Sequence, residues 1–257
     1  MPGKGRIRNE LNFSIRNTFA KKAKLFELAV FPSFCKICRA LLESPAEKVL
    51  CRTCLDKITP HRAPFCPSCG RFFEGVGEPH LCSACLNEAP PFSMHRSCAR
   101  YRGGLKDTLL LFKYRRYRVL GLNLAEIVSE AFKKEDGLWW GVDVIVPVPL
   151  HRRRRWERGF NQAEVLAREL GRIRRIPVET RALKKVKNVP PQTSLEHADR
   201  KSNVRDAYRM DKADRIRGKV VLLVDDVYTT GSTLRECAAV LKEAGVKDVR
   251  AVTVAQA

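Results

Sequence analysis

The sequence predicts an α/β protein built around a parallel sheet, with a small cysteine-rich module at its amino terminus. Two apolar runs, at residues 142–150 and 220–224, have the near-continuous hydrophobicity of strands that are covered on both faces. Strand-like and helix-like segments alternate from Arg96 onward, which favours a right-handed parallel sheet. Eight of the ten cysteines fall between Cys35 and Cys85 and define the amino-terminal module.

The alternation predicts a definite order of elements. Strands are expected near Arg96, from Val142, near Ile176, from Val220 and over residues 249–254, and helices over residues 105–112, 122–132, 162–170 and from Leu234. The polar segment at residues 183–210 is expected to be a lid or hood, because long loops in compact domains are usually functional. The 257 residues therefore divide into a basic extension (1–34), a cysteine-rich module (35–92) and an α/β domain (93–257).

Within the extension, residues 14–29 have the spacing of a short amphipathic helix with a basic opposite face. Such a helix would lie on a membrane or dock against a partner with equal ease.

The richest motif is VVLLVDDVYTTGSTL, at residues 220–234. A buried strand ends near Asp225 and Asp226, and a hydroxyl-rich turn then opens a helix. Free backbone N–H groups and the helix dipole at such a turn favour a phosphate dianion, and the two carboxylates suit ribose hydroxyls or a hydrated magnesium ion. The motif predicts a site for a sugar phosphate. The alternative is a structural strand-turn-helix whose acids only cap the helix.

A second anion-binding element, a pyrophosphate loop, is predicted upstream, where the strand VDVIVPVPL runs into HRRRRWERGFNQ. Its positive charge lies beside the end of a strand, one strand-helix unit before the first motif, where a pyrophosphate would fit. The alternative is a solvated basic turn. The candidate residues are His151, Arg152, Arg153, Arg154, Arg155 and Arg158.

The cysteines form an internal repeat in which the spacing C-x2-C-x12-C-x2-C occurs twice. Four thiolates at this spacing are typical of a structural zinc ribbon, so two zinc ions are expected, and this module should unfold without them. Disulfides are the alternative, but they need an oxidising compartment and no cleavable signal is recognisable. The spacing leaves open whether consecutive or interleaved pairs share an ion. The expected ligands are Cys35, Cys38, Cys51, Cys54, Cys66, Cys69, Cys82 and Cys85.

The remaining cysteines and the histidines carry weaker signals. Cys98 and Cys237 sit in apolar patterns and are expected to be packed thiols. His61 and His80 are expected to be surface residues, because eight cysteines already fill two sites, and His95 carries no functional signal.

Taken together, the motifs resemble the ComF family of competence proteins. The run at residues 220–234 resembles the diphosphoribose signature of type I phosphoribosyltransferases, and the chain adds RRRRWERGFNQ, PPQTSL, RKSNVRDAY and the cysteine repeat in the family's order. The resemblance implies a phosphoribosyltransferase fold joined to a double zinc ribbon. It implies that Asp225 and Asp226 contact the ribose hydroxyls of phosphoribosyl pyrophosphate, with magnesium, and that the turn holds the 5-phosphate. The ligand-binding residues would be Asp225, Asp226, Val227, Tyr228, Thr229, Thr230, Gly231, Ser232 and Thr233.

The net charge of +21, from 49 Lys and Arg against 28 Asp and Glu, exceeds what one pyrophosphate pocket needs and predicts a polyanionic partner. Single-stranded DNA is the candidate, with Tyr114, Tyr117 or Trp156 as stacking faces. A basic proteome or an anionic membrane surface is the alternative. The basic residues in excess are Lys21, Lys22, Lys24, Arg172, Arg174, Arg175, Lys184, Lys185 and Lys187.

Two functions follow from these expectations. In the first, which the resemblance implies, the protein binds phosphoribosyl pyrophosphate or a phosphoribosyl group and single-stranded DNA, and serves DNA uptake in natural competence beside a DNA-translocating ATPase. In the second, it is an active phosphoribosyltransferase of nucleotide metabolism with an unknown acceptor, in which Asp225 and Asp226 orient the ribose. A cytoplasmic location without a transmembrane segment is expected, with or without contact to the inner face of the membrane.

Overall fold

The computed structural model describes residues 32–42, 47–62, 64–187 and 206–257. The predicted amphipathic helix at residues 14–29 and the PPQTSL segment lie outside these residues. The chain divides into two compact units, Met1–Asp56 and Lys57–Ala257, so that the first cysteine cluster belongs to one unit and the second cluster to the other.

The larger unit carries most of the regular structure. Its helices are α2 (Ser83–Asn87), α3 (Gly103–Tyr114), α4 (Leu120–Ala131), α5 (Asp136–Trp139), α6 (Arg152–Arg158), α7 (Gln162–Arg174) and α8 (Ser232–Glu243), and the smaller unit contains α1 (Arg52–Asp56). The strands of the larger unit are β1 (Met94–Arg100), β2 (Val144–Pro147), β3 (Leu183–Lys185), β4 (Tyr208–Met210), β5 (Val220–Tyr228) and β6 (Asp248–Gln256). A 3-10 turn lies at Ala213–Arg215.

Strands β1, β6, β5 and β2 form a four-stranded sheet in that order, and every pairing is parallel. The predicted parallel α/β architecture is confirmed. In the register, Pro147 pairs with Val224, so β2 ends one residue before β5 reaches Asp225. The segment after β2 and the carboxylates of β5 therefore meet at the same edge of the sheet, where parallel sheets bind ligands.

Burial follows from the apolar runs. Residues Val220 to Val224 are all buried, as expected for a strand covered on both faces. Helix α8 buries Leu234, Cys237, Ala238 and Leu241, which recur at helical spacing and pack into a core with Val221 and Leu223.

Three local predictions differ from the structure. The strand predicted near Ile176 is wrong, because only Val178 pairs with Ile145, in an isolated parallel bridge, and Pro177 has no N–H with which to extend a ladder. The arginine-rich segment is a helix, α6, and not a loop. The ends of the predicted lid form an antiparallel hairpin, β3 with β4, and the stretch between its described ends, residues 188–205, lies outside the described residues.

Candidate functional site

The two cysteine clusters have the same local fold, as the repeat predicts. In the first, Cys35 N–H donates to the Ala40 carbonyl at 2.8 Å, and in the second Cys66 N–H donates to the Arg71 carbonyl at 2.8 Å. The residue four places after the first cysteine has a positive φ in both copies, at Arg39 (65°) and at Gly70 (65°). Helices α1 and α2 each begin one residue after the third cysteine of a copy.

The sulfur positions fit zinc. Within each cluster the four sulfur atoms lie within 4.8 Å of one another, and consecutive pairs come together, which resolves the pairing that the spacing left open. A tetrahedron with Zn–S bonds of about 2.3 Å has S–S edges of about 3.8 Å. The observed S–S separations are 3.8 Å for Cys35–Cys54, 3.5 Å for Cys38–Cys51 and 3.6 Å for Cys69–Cys82.

Backbone N–H groups lower the pKa of two of the thiols, which favours the thiolate form that binds metal. Burial alone would raise their pKa, but N–H groups that point at sulfur more than offset it, so the pKa of Cys35 falls to about 6 and that of Cys66 to about 7. Each cluster can therefore hold structural zinc in a closed set of four thiolates.

The turn at residues 229–233, called the phosphate turn after its predicted ligand, lies between a strand and a helix as the sequence predicts. Strand β5 ends at Tyr228, and Gly231 takes a left-handed φ of 78° just before α8 begins at Ser232. The Thr230 and Ser232 hydroxyl groups lie 2.9 Å apart. The first turn of a helix leaves its N–H groups without intrahelical partners, and at α8 the Ser232 N–H donates to the Thr230 hydroxyl at 3.4 Å. The acids of the motif therefore do not cap this helix, contrary to that part of the structural alternative.

Asp226 is held by a lysine that the sequence analysis did not single out. Lys113, near the end of α3, places its Nζ 2.9 Å from Asp226 Oδ1, and the two side chains are only 14% and 11% exposed. Burial disfavours the charged form of Lys113, but the Asp226 carboxylate outweighs it and raises the lysine pKa. The ion pair fixes the orientation of the Asp226 side chain at the carboxyl end of β5.

Asp225 lies in a different environment. Burial, and then the neighbouring charge of Asp226, raise the pKa of Asp225 to about 7, although the charges of Lys113 and Lys185 oppose the rise. Its Oδ1 accepts a hydrogen bond of 2.8 Å from the Asp226 backbone N–H. The two adjacent acids therefore have different surroundings: Asp226 is paired with Lys113, whereas the pKa of Asp225 is raised to about 7.

The hairpin of the lid contributes two further side chains. Lys185 Nζ lies 5.0 Å from the ring centroid of Tyr208, and burial lowers the pKa of Lys185 while the charge of Asp225 opposes this. Burial raises the pKa of the Tyr208 hydroxyl. Lys185, which we expected on a DNA-binding surface, therefore belongs to the surroundings of the carboxylates, whereas Lys184 pairs with Asp211 at 3.0 Å.

Helix α6 divides the arginine run into two faces. Arg154 and Arg158, one turn apart, are partly buried, and Arg158 stacks 5.4 Å from the ring centroid of Tyr114. Burial, and then the charge of Arg158, lower the pKa of Arg154. Arg153 and Arg155 are exposed on the other face, with carboxylate partners Glu157 at 3.2 Å and Glu164 at 3.3 Å, and Arg152 is exposed as well. His151 caps the helix by accepting from Arg153 N–H at 3.3 Å.

The remaining predicted residues fall as follows. Val227 pairs with Ala255 in the sheet, and Thr229 is exposed at the start of the turn. Cys98 and Cys237 are buried, and burial raises the pKa of Cys98 to about 12, as expected for a packed thiol. His80 is exposed as predicted, but His61 is partly buried and packs against Phe72, with ring centroids 3.9 Å apart and ring planes tilted by 39°.

Comparison with known proteins agrees with this architecture. The phosphoribosyl transferase domain family matches residues 120–257, and the double zinc ribbon domain family matches residues 28–86. Competence protein ComFC of Bacillus subtilis is 33% identical over 219 residues, which cover 80% of this chain and 83% of that protein. The chain belongs to the ComF family of competence proteins.

Two other relatives of the ComF-family chain match over less of their length. Competence protein F of Haemophilus influenzae is 38% identical over 116 residues, 45% of this chain and 51% of that protein. DNA utilization protein YhgH of Escherichia coli is 37% identical over 108 residues, 42% of this chain and 47% of that protein. The chain thus spans about half the length of these two relatives.

Among solved structures, adenine phosphoribosyltransferase from Saccharomyces cerevisiae is 12% identical, covers 56% of this chain and 72% of that chain, and superimposes with a TM-score of 0.37. So loose a superposition supports no functional conclusion. Within the described ranges, no helix combines the length and the apolar character needed to cross a bilayer.

Proposed function

We propose that this ComF-family chain binds phosphoribosyl pyrophosphate, or the phosphoribosyl group of a nucleic acid, at the carboxyl end of β5, and that it serves DNA uptake. One observation carries the proposal: a Lys113–Asp226 ion pair and a protonatable Asp225 lie at the end of the strand that leads into a glycine-bearing turn before α8. A purely structural strand-turn-helix gains nothing from burying two adjacent acids there, since burial of charge is costly.

Each part of the ligand has a matching part of the site. The turn from Thr229 to Thr233 would hold the 5-phosphate through backbone N–H groups and hydroxyls. Asp225 and Asp226 would hold the ribose hydroxyls or a magnesium ion that keeps most of its water, and carboxylate oxygens are the donors that magnesium prefers. Bound magnesium would neutralise pyrophosphate charge. Arg154 and Arg158 would face the pyrophosphate from the inner face of α6.

Exposed aromatic rings on and beside α6 support an interaction with single-stranded DNA. Trp156 is 83% exposed and lies among arginines, and Tyr114, 63% exposed, stacks with Arg158. Exposed aromatic faces interleaved with cations bind bases with little sequence preference, and counterion release makes such binding fall steeply with salt. Undetectable affinity for short strands at low salt would contradict this part of the proposal.

The names of the relatives point to the biological setting. Two of them are named as competence proteins and one as a DNA utilization protein. We propose the same setting for this chain, on the cytoplasmic side of the membrane, where an imported strand would emerge from a translocating ATPase. The excess positive charge of the whole chain would favour capture of that strand.

A second candidate function, phosphoribosyl transfer, is favoured by the exposed ring of Tyr114 next to Arg158, because an acceptor base needs a stacking surface beside the ribose site. In that reaction the C1–O bond to pyrophosphate breaks with its electron pair on the departing oxygen, the acceptor nitrogen bonds to C1, and the acceptor loses a proton. Release of pyrophosphate with nucleobases or single strands as acceptors decides between transfer and binding. A binding protein releases none above the level of an Asp226→Asn variant.

Calorimetric titration with phosphoribosyl pyrophosphate and magnesium tests the binding function directly. Asp225→Asn and Asp226→Asn retain shape but remove charge, so each should weaken binding by about tenfold or more, the scale of a lost charged hydrogen bond. Thr230→Val should weaken it as well. Asp107→Asn, an exposed carboxylate on α3, is the matched control and should bind as the wild type does. Equal affinity for all four variants would refute the site.

A further inference from the structure

The turn at residues 229–233 packs against the ring of Tyr228, and that ring packs against His95, which carried no functional signal in the sequence. Tyr228, the last residue of β5, is buried, and its ring lies directly against Gly231. A Cβ atom at Gly231 would lie 2.5 Å from the Tyr228 hydroxyl and 2.7 Å from its Cζ atom. The left-handed φ of 78° and the closeness of the tyrosine ring both favour glycine at this position and leave no room for a side chain.

The other face of the tyrosine ring stacks on His95, with centroids 4.3 Å apart and ring planes 20° from parallel. His95 is fully buried and has polar partners on both sides of its ring. Its Nε2 lies 3.0 Å from the Thr253 hydroxyl of β6, and its Nδ1 lies 2.7 Å from the Cys69 carbonyl oxygen. The His95 backbone N–H donates to the Ser68 carbonyl at 2.8 Å. Both the ring and the backbone of His95 are thus fixed to the second cysteine cluster.

Close packing continues into the cluster itself. Gly70 has a φ of 65°, and a Cβ atom there would lie 2.5 Å from the His95 carbonyl oxygen and 3.1 Å from His95 Nδ1. The Tyr228 ring packs against Gly231 of the turn on the one hand and stacks on His95 on the other, and His95 reaches the cluster through its hydrogen bond with the Cys69 carbonyl. Cys69, His95, Tyr228 and Gly231 therefore form one continuous contact from the second cluster to the turn.

We propose that His95 and Tyr228 are positioning residues through which the second zinc site holds the phosphate turn in its binding shape. Side chains that contact a metal ligand from outside orient that ligand, and the contact acts in both directions. Metal in the cluster and anion on the turn are then coupled, and reciprocity requires each to strengthen the other by the same factor. The identity of the anion rests on the proposed function, whereas the support of the turn by the cluster does not.

The duplicated cysteines supply a matched pair of variants. Cys69 and Cys38 occupy the same place in the two copies, but Cys38 is exposed and belongs to the smaller unit, which contains neither His95 nor Tyr228. Cys69→Ser and Cys38→Ser each remove one thiolate from a set of four, so each should lower the zinc content of the full chain from two ions to one. Only Cys69→Ser should disturb the turn.

Amide hydrogen exchange at residues 229–233 is the deciding measurement, because it needs no ligand. We expect exchange there to be at least tenfold faster in Cys69→Ser than in Cys38→Ser. Equal rates in the two variants would overturn the proposal. If the amides of β6 also exchange rapidly in Cys69→Ser, that variant is unfolded, and Tyr228→Leu takes its place in the comparison. That variant keeps all four cysteines and should speed exchange at the turn and extraction of one zinc ion by a chelator, whereas Tyr228→Phe, which keeps the ring, should do less. Unchanged zinc extraction in Tyr228→Leu would overturn the proposal too.

A second measurement separates this proposal from the proposed function. Phosphoribosyl pyrophosphate with magnesium should slow the chelation of one of the two zinc ions in the wild type. Suppose that wild-type protein binds no phosphoribosyl pyrophosphate, but amide exchange at residues 229–233 is faster in Cys69→Ser than in Cys38→Ser. The proposed function then fails and the coupling stands. If the wild type binds the ligand and the two variants exchange at equal rates, the coupling fails and the proposed function stands.

Discussion

The raised pKa of Asp225 predicts how the stability of the protein changes with pH, and no ligand is needed to test this. Burial and the charge of Asp226 raise the pKa of this carboxyl group from 3.8 to about 7 in the folded protein. Below pH 3.8 the carboxyl is protonated in both the folded and the unfolded chain. Between pH 3.8 and about 7 the unfolded chain releases the proton while the folded chain keeps it, so rising pH favours the unfolded state. Asp225 therefore contributes stability at low pH that is lost as the pH rises towards 7.

The size of the effect follows from the two pKa values. For one group that titrates at 3.8 unfolded and near 7 folded, linkage gives a loss of about 2 kcal/mol in the free energy of unfolding between pH 5 and pH 7. Other groups titrate in this window as well. Burial lowers the pKa of His95 to about 4, for example, which adds stability as the pH rises. Their contributions cancel when the wild type is compared with Asp225→Asn, which has no proton to lose at this position.

Urea unfolding of both proteins at pH 5, 6, 7 and 8 measures the difference. We expect Asp225→Asn to gain about 2 kcal/mol relative to the wild type as the pH rises from 5 to 7, and no more above pH 8. Asp107→Asn, at an exposed position on α3, should follow the wild type at every pH. A constant difference between the wild type and Asp225→Asn across the pH range would refute the assignment of a buried, neutral carboxyl group to Asp225.

Three further predictions test other parts of the molecule. Purified protein should carry two zinc ions per chain, and Cys51→Ala should carry one by metal analysis; an unchanged content would remove Cys51 from the ligands. Lys113→Met should destabilise the chain by about 3 kcal/mol in urea unfolding, because it leaves Asp226 buried without its cation; a neutral effect would contradict the ion pair. Trp156→Ala should weaken binding to single-stranded DNA about tenfold, whereas Trp140→Ala, an exposed tryptophan whose carbonyl accepts from Arg250 at the amino end of β6, should not; equal losses would argue against α6 as the binding face.

Local sequence patterns predicted the parts of the site that are made from contiguous residues. The strand, the turn and the helix at residues 220–234 lie in one stretch of chain, so apolar periodicity, a glycine and hydroxyl side chains were sufficient to place them. The cysteine clusters were equally accessible, because ligand spacing within a repeat is a local property. The predicted strand near Ile176 failed for a local reason too, since Pro177 has no N–H with which to extend the pairing beyond Val178.

The contacts that complete the site join distant parts of the chain, and no local pattern carries them. Lys113 lies 113 positions from Asp226 and looks like any lysine at the end of an amphipathic helix. His95 gave no signal because one histidine in an apolar strand has no characteristic spacing, yet it connects Cys69 to Tyr228. Such residues become recognisable only when strand order is known, because β1 and β5 reach each other through β6 and not through sequence.

The arginine run illustrates why a composition signal and its structural alternative can both be right. Successive residues in an α-helix point about 100° apart, so four consecutive arginines cannot all face one ligand. Arg154 and Arg158 are one turn apart and share the partly buried face near Tyr114, whereas Arg152, Arg153 and Arg155 are exposed. The exposure of three arginines is what a solvated basic surface predicts, and the pyrophosphate contact stays a prediction for Arg154 and Arg158. A strand of DNA that binds the exposed face would meet Trp156 and arginines whose ion pairs with Glu157 and Glu164 are at the surface, where such pairs are weak, while Arg154 and Arg158 stay on the other face.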